Sequence, residues 1–128
     1  MSSSQLVWQI VKNNNCFIHK GLNGVILSKE PGNLYNVHCY KYSGISNDKA
    51  IHIEGDGQGL KVTKLITKHS NKPSKAKSSS TRKKSFQRVS AGLTKELDGY
   101  RPDLKKAALA RASAVKRSSK GSKSAKKE

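Results

Sequence analysis

Charge is spread very unevenly along this 128-residue chain, which limits what it can fold into. Residues 1–64 hold 7 Lys/Arg against 4 Asp/Glu, a net of +3, and residues 65–128 hold 19 against 4, a net of +15, which together make the chain's +18. A polycation of that density repels itself unless a polyanion is at hand, and the commonest cellular polyanion is nucleic acid. The second half therefore indicates a class of partner before any motif is read.

The apolar residues are concentrated toward the start of the chain. Leu6, Val7, Trp8, Ile10, Val11, Phe17, Ile18, Val25, Ile26, Leu27, Ile51, Ile53, Leu60, Val62, Leu65 and Ile66 all precede the strongly basic stretch. A core drawn from about 60–70 residues sits near the lower limit for folding without staples or a partner. No apolar run approaches the roughly 20 residues of a membrane span, so no membrane partner is expected. Residues 1–20 lack the basic n-region of a secretory signal. Cys16 and Cys39 read as small buried hydrophobes in a reduced compartment, not as a disulfide framework.

Periodicity predicts an α+β fold: a small antiparallel sheet with an N-terminal helix, then basic C-terminal helices and a disordered tail. After Ser2–Ser4, Leu6, Val7, Ile10 and Val11 recur at helical spacing, with Trp8 expected in the core. The competing strand reading of Leu6–Val11 is the weaker one. Cys16–Lys20 and Val25–Lys29 flank Gly21-Leu22-Asn23-Gly24, a hairpin signal. Asn36–Tyr42 reads as a third strand. Ala50–Glu54 and Leu60–Thr67 flank the glycine-rich 55–59 turn. The compact domain is thus expected over 1–67. Residues 68–84 have no apolar period and read as a mobile basic linker. Phe86, Val89, Leu93 and Leu97 mark a narrow helical stripe. Pro102 and Asp103 then open an alanine-rich helix over Leu104–Arg117. These two basic helices fill 85–117, and 118–128 is the basic tail.

The basic half carries the chemistry. Each Lys or Arg set on a phosphate frees a condensed cation, which gives affinity without sequence choice. Few aromatics lie among these charges, so contacts should go to backbone phosphate and shape. The candidate nucleic-acid contacts are Lys68, Lys72, Lys75, Lys77, Arg82, Lys83, Lys84, Arg88, Tyr100, Arg101, Lys105, Lys106, Arg111, Lys116, Arg117, Lys120 and Lys123. Tyr100 is the one proposed for a ribose or an exposed base, with helix packing the equal alternative. Cys16, His19, His38 and Cys39 have the wrong spacing for a zinc knuckle and read as core thiols and exposed histidines. The 55–59 glycines lack the Gly-Lys-Ser/Thr ending of a P-loop. No nucleophile elbow, triad or paired-carboxylate pattern is present. The reading is a non-enzyme without metal, cofactor or small-molecule substrate.

Three groups of residues also resemble one family. They are Tyr100-Arg101-Pro102-Asp103-Leu104-Lys105-Lys106-Ala107-Ala108 with Arg111-Ala112-Ser113-Ala114, Leu6–Asn14, and Ser28–Leu34 with Tyr40–Gly44. Together they are similar to the eukaryotic L28e family of large-ribosomal-subunit proteins, over about residues 4–117 in order. The resemblance implies a structural constituent of the cytosolic 60S subunit, assembled via the nucleolus, with large-subunit rRNA and neighbouring ribosomal proteins as partners. Alternatives are a nucleolar assembly factor of the Mak16 type and a chromatin-associated basic protein. The first would need a long acidic extension and a cysteine-rich pattern that this chain lacks. The second suits the Lys/Ser/Ala tail but not the two hairpins.

Overall fold

A computed structural model describes residues 3–57 and 59–125. The elements in chain order are α1 (Ser4–Val11), β1 (Ile18–Lys20), β2 (Ile26–Ser28), β3 (Ile51–Asp56), β4 (Gly59–Leu65), β5 (Lys77–Arg82), α2 (Phe86–Asp98) and α3 (Lys105–Ala125), with four short 3-10 turns between them. The fold is α+β, as the periodicity predicts. Two compact units share the chain: described residues up to 52 with 64–78, and 53–63 with those from 79 onward. The chain passes from one to the other within each of β3, β4 and β5.

In the first unit, β1 and β2 form the expected antiparallel hairpin, with Ile18 opposite Ser28, His19 opposite Leu27 and Lys20 opposite Ile26. Its connection is tied by the Gly21 N–H donating to the Val25 carbonyl at 2.7 Å. Asn36–Tyr42 does not form the expected strand. A single bridge joins Val37 to Leu27, and Tyr40–Tyr42 is a 3-10 turn. The reason is Asn36, whose φ of 58° breaks extended geometry.

Trp8 explains the position of α1. Its ring lies 5.0 Å from the His38 ring and 6.1 Å, edge-on, from Tyr40. The Ser4 hydroxyl bonds the Tyr40 hydroxyl at 2.9 Å, and His38 Nε2 meets the Lys12 carbonyl at 2.7 Å. The helix is thus held by ring contacts and polar bonds. Its expected apolar stripe is not buried: Leu6 is 55% and Ile10 67% exposed. Trp8 itself is half-buried rather than a core anchor, Cys16 is exposed and Cys39 half-exposed, so neither thiol serves as core.

The buried part of this unit is largely polar. Glu30-Pro31-Gly32-Asn33 makes a type II turn, with Gly32 at φ 90° and the Asn33 N–H on the Glu30 carbonyl at 3.2 Å. The buried Glu30 carboxylate accepts from Asn33 Nδ2 at 3.4 Å and from the Ser43 hydroxyl at 3.2 Å. Gly44 packs so closely on this turn that a Cβ there would collide with the Pro31 carbonyl oxygen.

β3, β4 and β5 form a three-stranded sheet in that order. β3 and β4 are two residues apart in sequence, which only an antiparallel pairing permits. β5 lies inside the stretch expected to be a mobile linker. It has no apolar residue to announce it, and all but Arg82 of its residues are exposed. Pairing along the open edge of β4 makes it a strand, helped by the cross-strand pair Thr63–Ser79 at 3.0 Å.

In the second unit, Ile53, Leu60 and Val62 of the strands are buried, as are Val89, Leu93 and Leu97 of α2. Leu104, Ala107, Ala108 and Ala112, from the turn before α3 and from α3 itself, join them. α3 begins after a 3-10 turn at Pro102–Leu104 and continues past the expected end at Arg117, to Ala125. Serine and lysine weaken a helix only slightly and no proline intervenes, so nothing stops the helix at Arg117.

Leu93→Ala should cost about 2–5 kcal/mol in denaturant unfolding, because the side chain is fully buried. Gly44→Ala should unfold the 30–44 loops at lower temperature than the rest, seen as early loss of hydrogen-exchange protection there.

Candidate nucleic-acid interface

Basic residues cannot sit in an apolar core, so each amphipathic helix directs them outward. On α3, Lys116 and Lys120 are four residues apart and share a face. Ser113 and Arg117 do likewise, on the adjoining face. The connection from β5 to α2 leaves Lys83, Lys84 and Ser85 exposed, with a bend at Lys84. The Lys116 ammonium donates to the Lys84 carbonyl at 2.9 Å, which ties this connection to α3.

Three depressions result. One, of about 500 Å³, is lined by Ser85, Phe86, Ser113, Lys116, Arg117 and Lys120. A second, also about 500 Å³, is lined by Thr81, Arg82, Lys83, Lys84, Arg88 and Val89. The third, about 160 Å³, joins them through Lys83, Lys116 and Lys120 and adds Gly57, Gly59, Leu60 and Ser119. Lys83, Lys84, Arg88, Lys116, Arg117 and Lys120 thus converge on one continuous surface of the second unit.

The other sequence-predicted contacts have different settings. Arg82 is mostly covered and forms an ion pair with Glu96. Arg101 holds Asp103 with two bonds, Nη2 to Oδ2 at 2.6 Å and Nε to Oδ1 at 3.3 Å. Lys105 pairs with Asp98. Arg111 is half-buried seven residues after Leu104, toward the packed side of α3. Lys106 is exposed and lies on the Ser113–Arg117 side of that helix. Tyr100 is half-buried, its N–H on the Leu97 carbonyl at 3.2 Å. Lys68, Lys72, Lys75 and Lys77 are exposed on the first unit. Lys123 falls on α3 with its side chain outside the described residues.

Sequence reasoning missed the hydroxyls Thr81, Ser85, Ser113 and Ser119 that line the depressions. The four-residue offset of Ser113 and Arg117 was the available signal. Among the described residues, no three His, Cys, Asp or Glu side chains gather to hold a metal ion, and no helix is long and apolar enough to cross a membrane.

Fold and surface together define a small basic α+β protein whose cations collect on its helical unit. A profile of the Ribosomal L28e protein family matches residues 6–118, and the chain belongs to that family. It is 37% identical over 110 residues to large ribosomal subunit protein eL28 of Dictyostelium discoideum, covering 85% of this chain and 83% of that one. It is 30% identical over 122 residues to large ribosomal subunit protein eL28 of Schizosaccharomyces pombe, covering 88% and 90%.

Glu96→Gln should lower the melting temperature at low salt by releasing Arg82 from its partner. The deficit should shrink at about 1 M salt, where the screening length falls to about 3 Å. A melt recorded at both salt levels checks this.

Proposed function

We propose that this chain is a structural constituent of the cytosolic large ribosomal subunit and holds large-subunit rRNA on the cationic surface of its helical unit. The observation that carries the reading is the convergence of Lys83, Lys84 and Arg88 with Lys116, Arg117 and Lys120, in a chain alike along most of its length to eL28 proteins. Point charges on a rigid strand–turn–helix frame suit phosphate oxygens, and counterion release makes such binding favourable without reading bases. Lys106 extends the same face, and the exposed lysines of 68–77 supply further backbone contacts. Neighbouring ribosomal proteins and a nucleolar assembly stage complete the reading.

Tagged chain should co-sediment with mature 60S particles and polysomes at moderate salt; recovery confined to nuclear pre-ribosomal particles or chromatin would overturn the reading. Replacing Lys83, Arg88 and Lys120 together by Gln should lower the log–log salt slope for an rRNA fragment by about three, one per lost phosphate contact. A matched triple at Lys12, Lys20 and Lys29 should change it less. An unaltered slope in the first triple would remove those residues from the interface.

A further inference from the structure

We propose that Ser85 is a phosphorylation site and that its phosphate occupies the cationic surface in place of an RNA phosphate. Three independent observations meet at this residue. It follows Arg82-Lys83-Lys84, a run of three cations of the kind that basic-directed serine kinases recognise by charge. It is exposed, in the short connection between β5 and α2 that belongs to neither a strand nor a helix. Its hydroxyl makes no capping hydrogen bond although Ser85 is the N-cap residue of α2, so modification breaks no internal bond.

The surroundings then determine the consequence. Ser85 shares its depression with Lys116, Arg117 and Lys120. The first turn of α2 carries no acidic residue, and its leading N–H groups have no partner within the helix. A phosphoserine there brings a charge of about −1.5 to −2 and three acceptor oxygens to a site built from cations and N–H donors. In the transfer, Ser85 Oγ forms a bond to the γ-phosphorus of a nucleoside triphosphate. The bond from that phosphorus to the bridging oxygen breaks, nucleoside diphosphate leaves, and the hydroxyl proton passes to the kinase's base. Six converging cations then have about two fewer charges to offer. The effect on RNA rests on the proposed rRNA interface; the modification and its cationic cradle do not.

The full chain is treated with ATP and a purified serine kinase that selects basic residues before its target, and sites are assigned by mass spectrometry. Phosphate at Ser85, slowed at least several-fold by Lys83→Ala with Lys84→Ala, is the expected result; none at Ser85 overturns the proposal. In a full chain translated with a single phosphoserine at 85, the phosphorus resonance should titrate below the usual value of about 6, because neighbouring cations favour the dianion. Lys116→Gln with Lys120→Gln should return it toward 6. Titration like that of a free phosphoserine overturns the cradle. The same chain should bind an rRNA fragment at least about tenfold more weakly, with a shallower salt slope. Equal binding by modified and unmodified chains overturns the displacement. If the unmodified chain does not bind at all, the rRNA reading fails instead, and mass spectrometry and titration still decide Ser85.

Discussion

Small residues in the seam between α2 and α3 let the charge-balanced α2 and the strongly basic α3 lie together while most of the cations of α3 stay at the surface. Ala107, Ala108 and Ala112 are buried beside Leu93, Leu97 and Leu104, so apolar contact replaces water along the shared side. Each fully buried leucine contributes about 1.5–3 kcal/mol. Two like charges 4 Å apart in water cost about 1 kcal/mol, and screening removes most of that beyond a Debye length of about 8 Å. Burial therefore outweighs repulsion so long as the cations stay in solvent. The helix pair meets that condition, and the dense positive surface exists because of it.

Acidic residues then determine where the surplus charge is felt. Residues 65–128 contain Glu96, Asp98, Asp103 and Glu128. The three within the described residues pair with Arg82, Lys105 and Arg101 respectively. All three acidic partners lie on α2 or in the turn that leads into α3. The pairing shapes the protein's electrostatics: it withdraws some cations into structural work and leaves a smaller set concentrated on the depressions. Arg82 and Arg88 illustrate the split. They are six residues apart, of one type and line the same depression, yet the first holds Glu96 and is mostly covered while the second is exposed.

Helix period was the legible part of the sequence. The stripe Phe86, Val89, Leu93, Leu97 placed α2 almost residue for residue, and the Asn-Gly turn placed the first hairpin. β5 was illegible because Ser78, Ser79, Ser80 and Thr81 bury nothing; it is a strand by virtue of the β4 edge beside it, a tertiary fact. The distribution of core was also misread. Val7, Ile10 and Val11 have helical spacing, but apolar spacing says only that a face exists, not that anything covers it. Of the candidate contacts, charge marked all the lysines and arginines alike. Separating Lys105 from Lys116 needed the position of Asp98, which spacing along one strand of sequence does not supply for every cation.

The loops of the first unit show that residues outside the cationic surface also carry the resemblance to the L28e family. Ser28–Leu34 and Tyr40–Gly44 are two of the stretches that resemble the L28e family, and they contain no cation of the helical surface. Glu30 is 3% exposed and is held by Asn33 and Ser43. Ser43 also bonds Ser46, and Asn47 Nδ2 reaches the carbonyls of Tyr40 and Ser43 at 2.7 and 2.8 Å. A buried carboxylate with only neutral partners requires each of those donors, since losing one leaves charge desolvated and unsatisfied. Gly32 supplies the positive φ of the turn, and Gly44 the clearance against Pro31. These identities follow from packing and hydrogen bonding, not from binding. The cationic surface tolerates exchange of Lys for Arg at modest cost, because phosphate contact asks mainly for charge. The polar knot at Glu30 does not, because it depends on donor geometry and clearance as well as on charge.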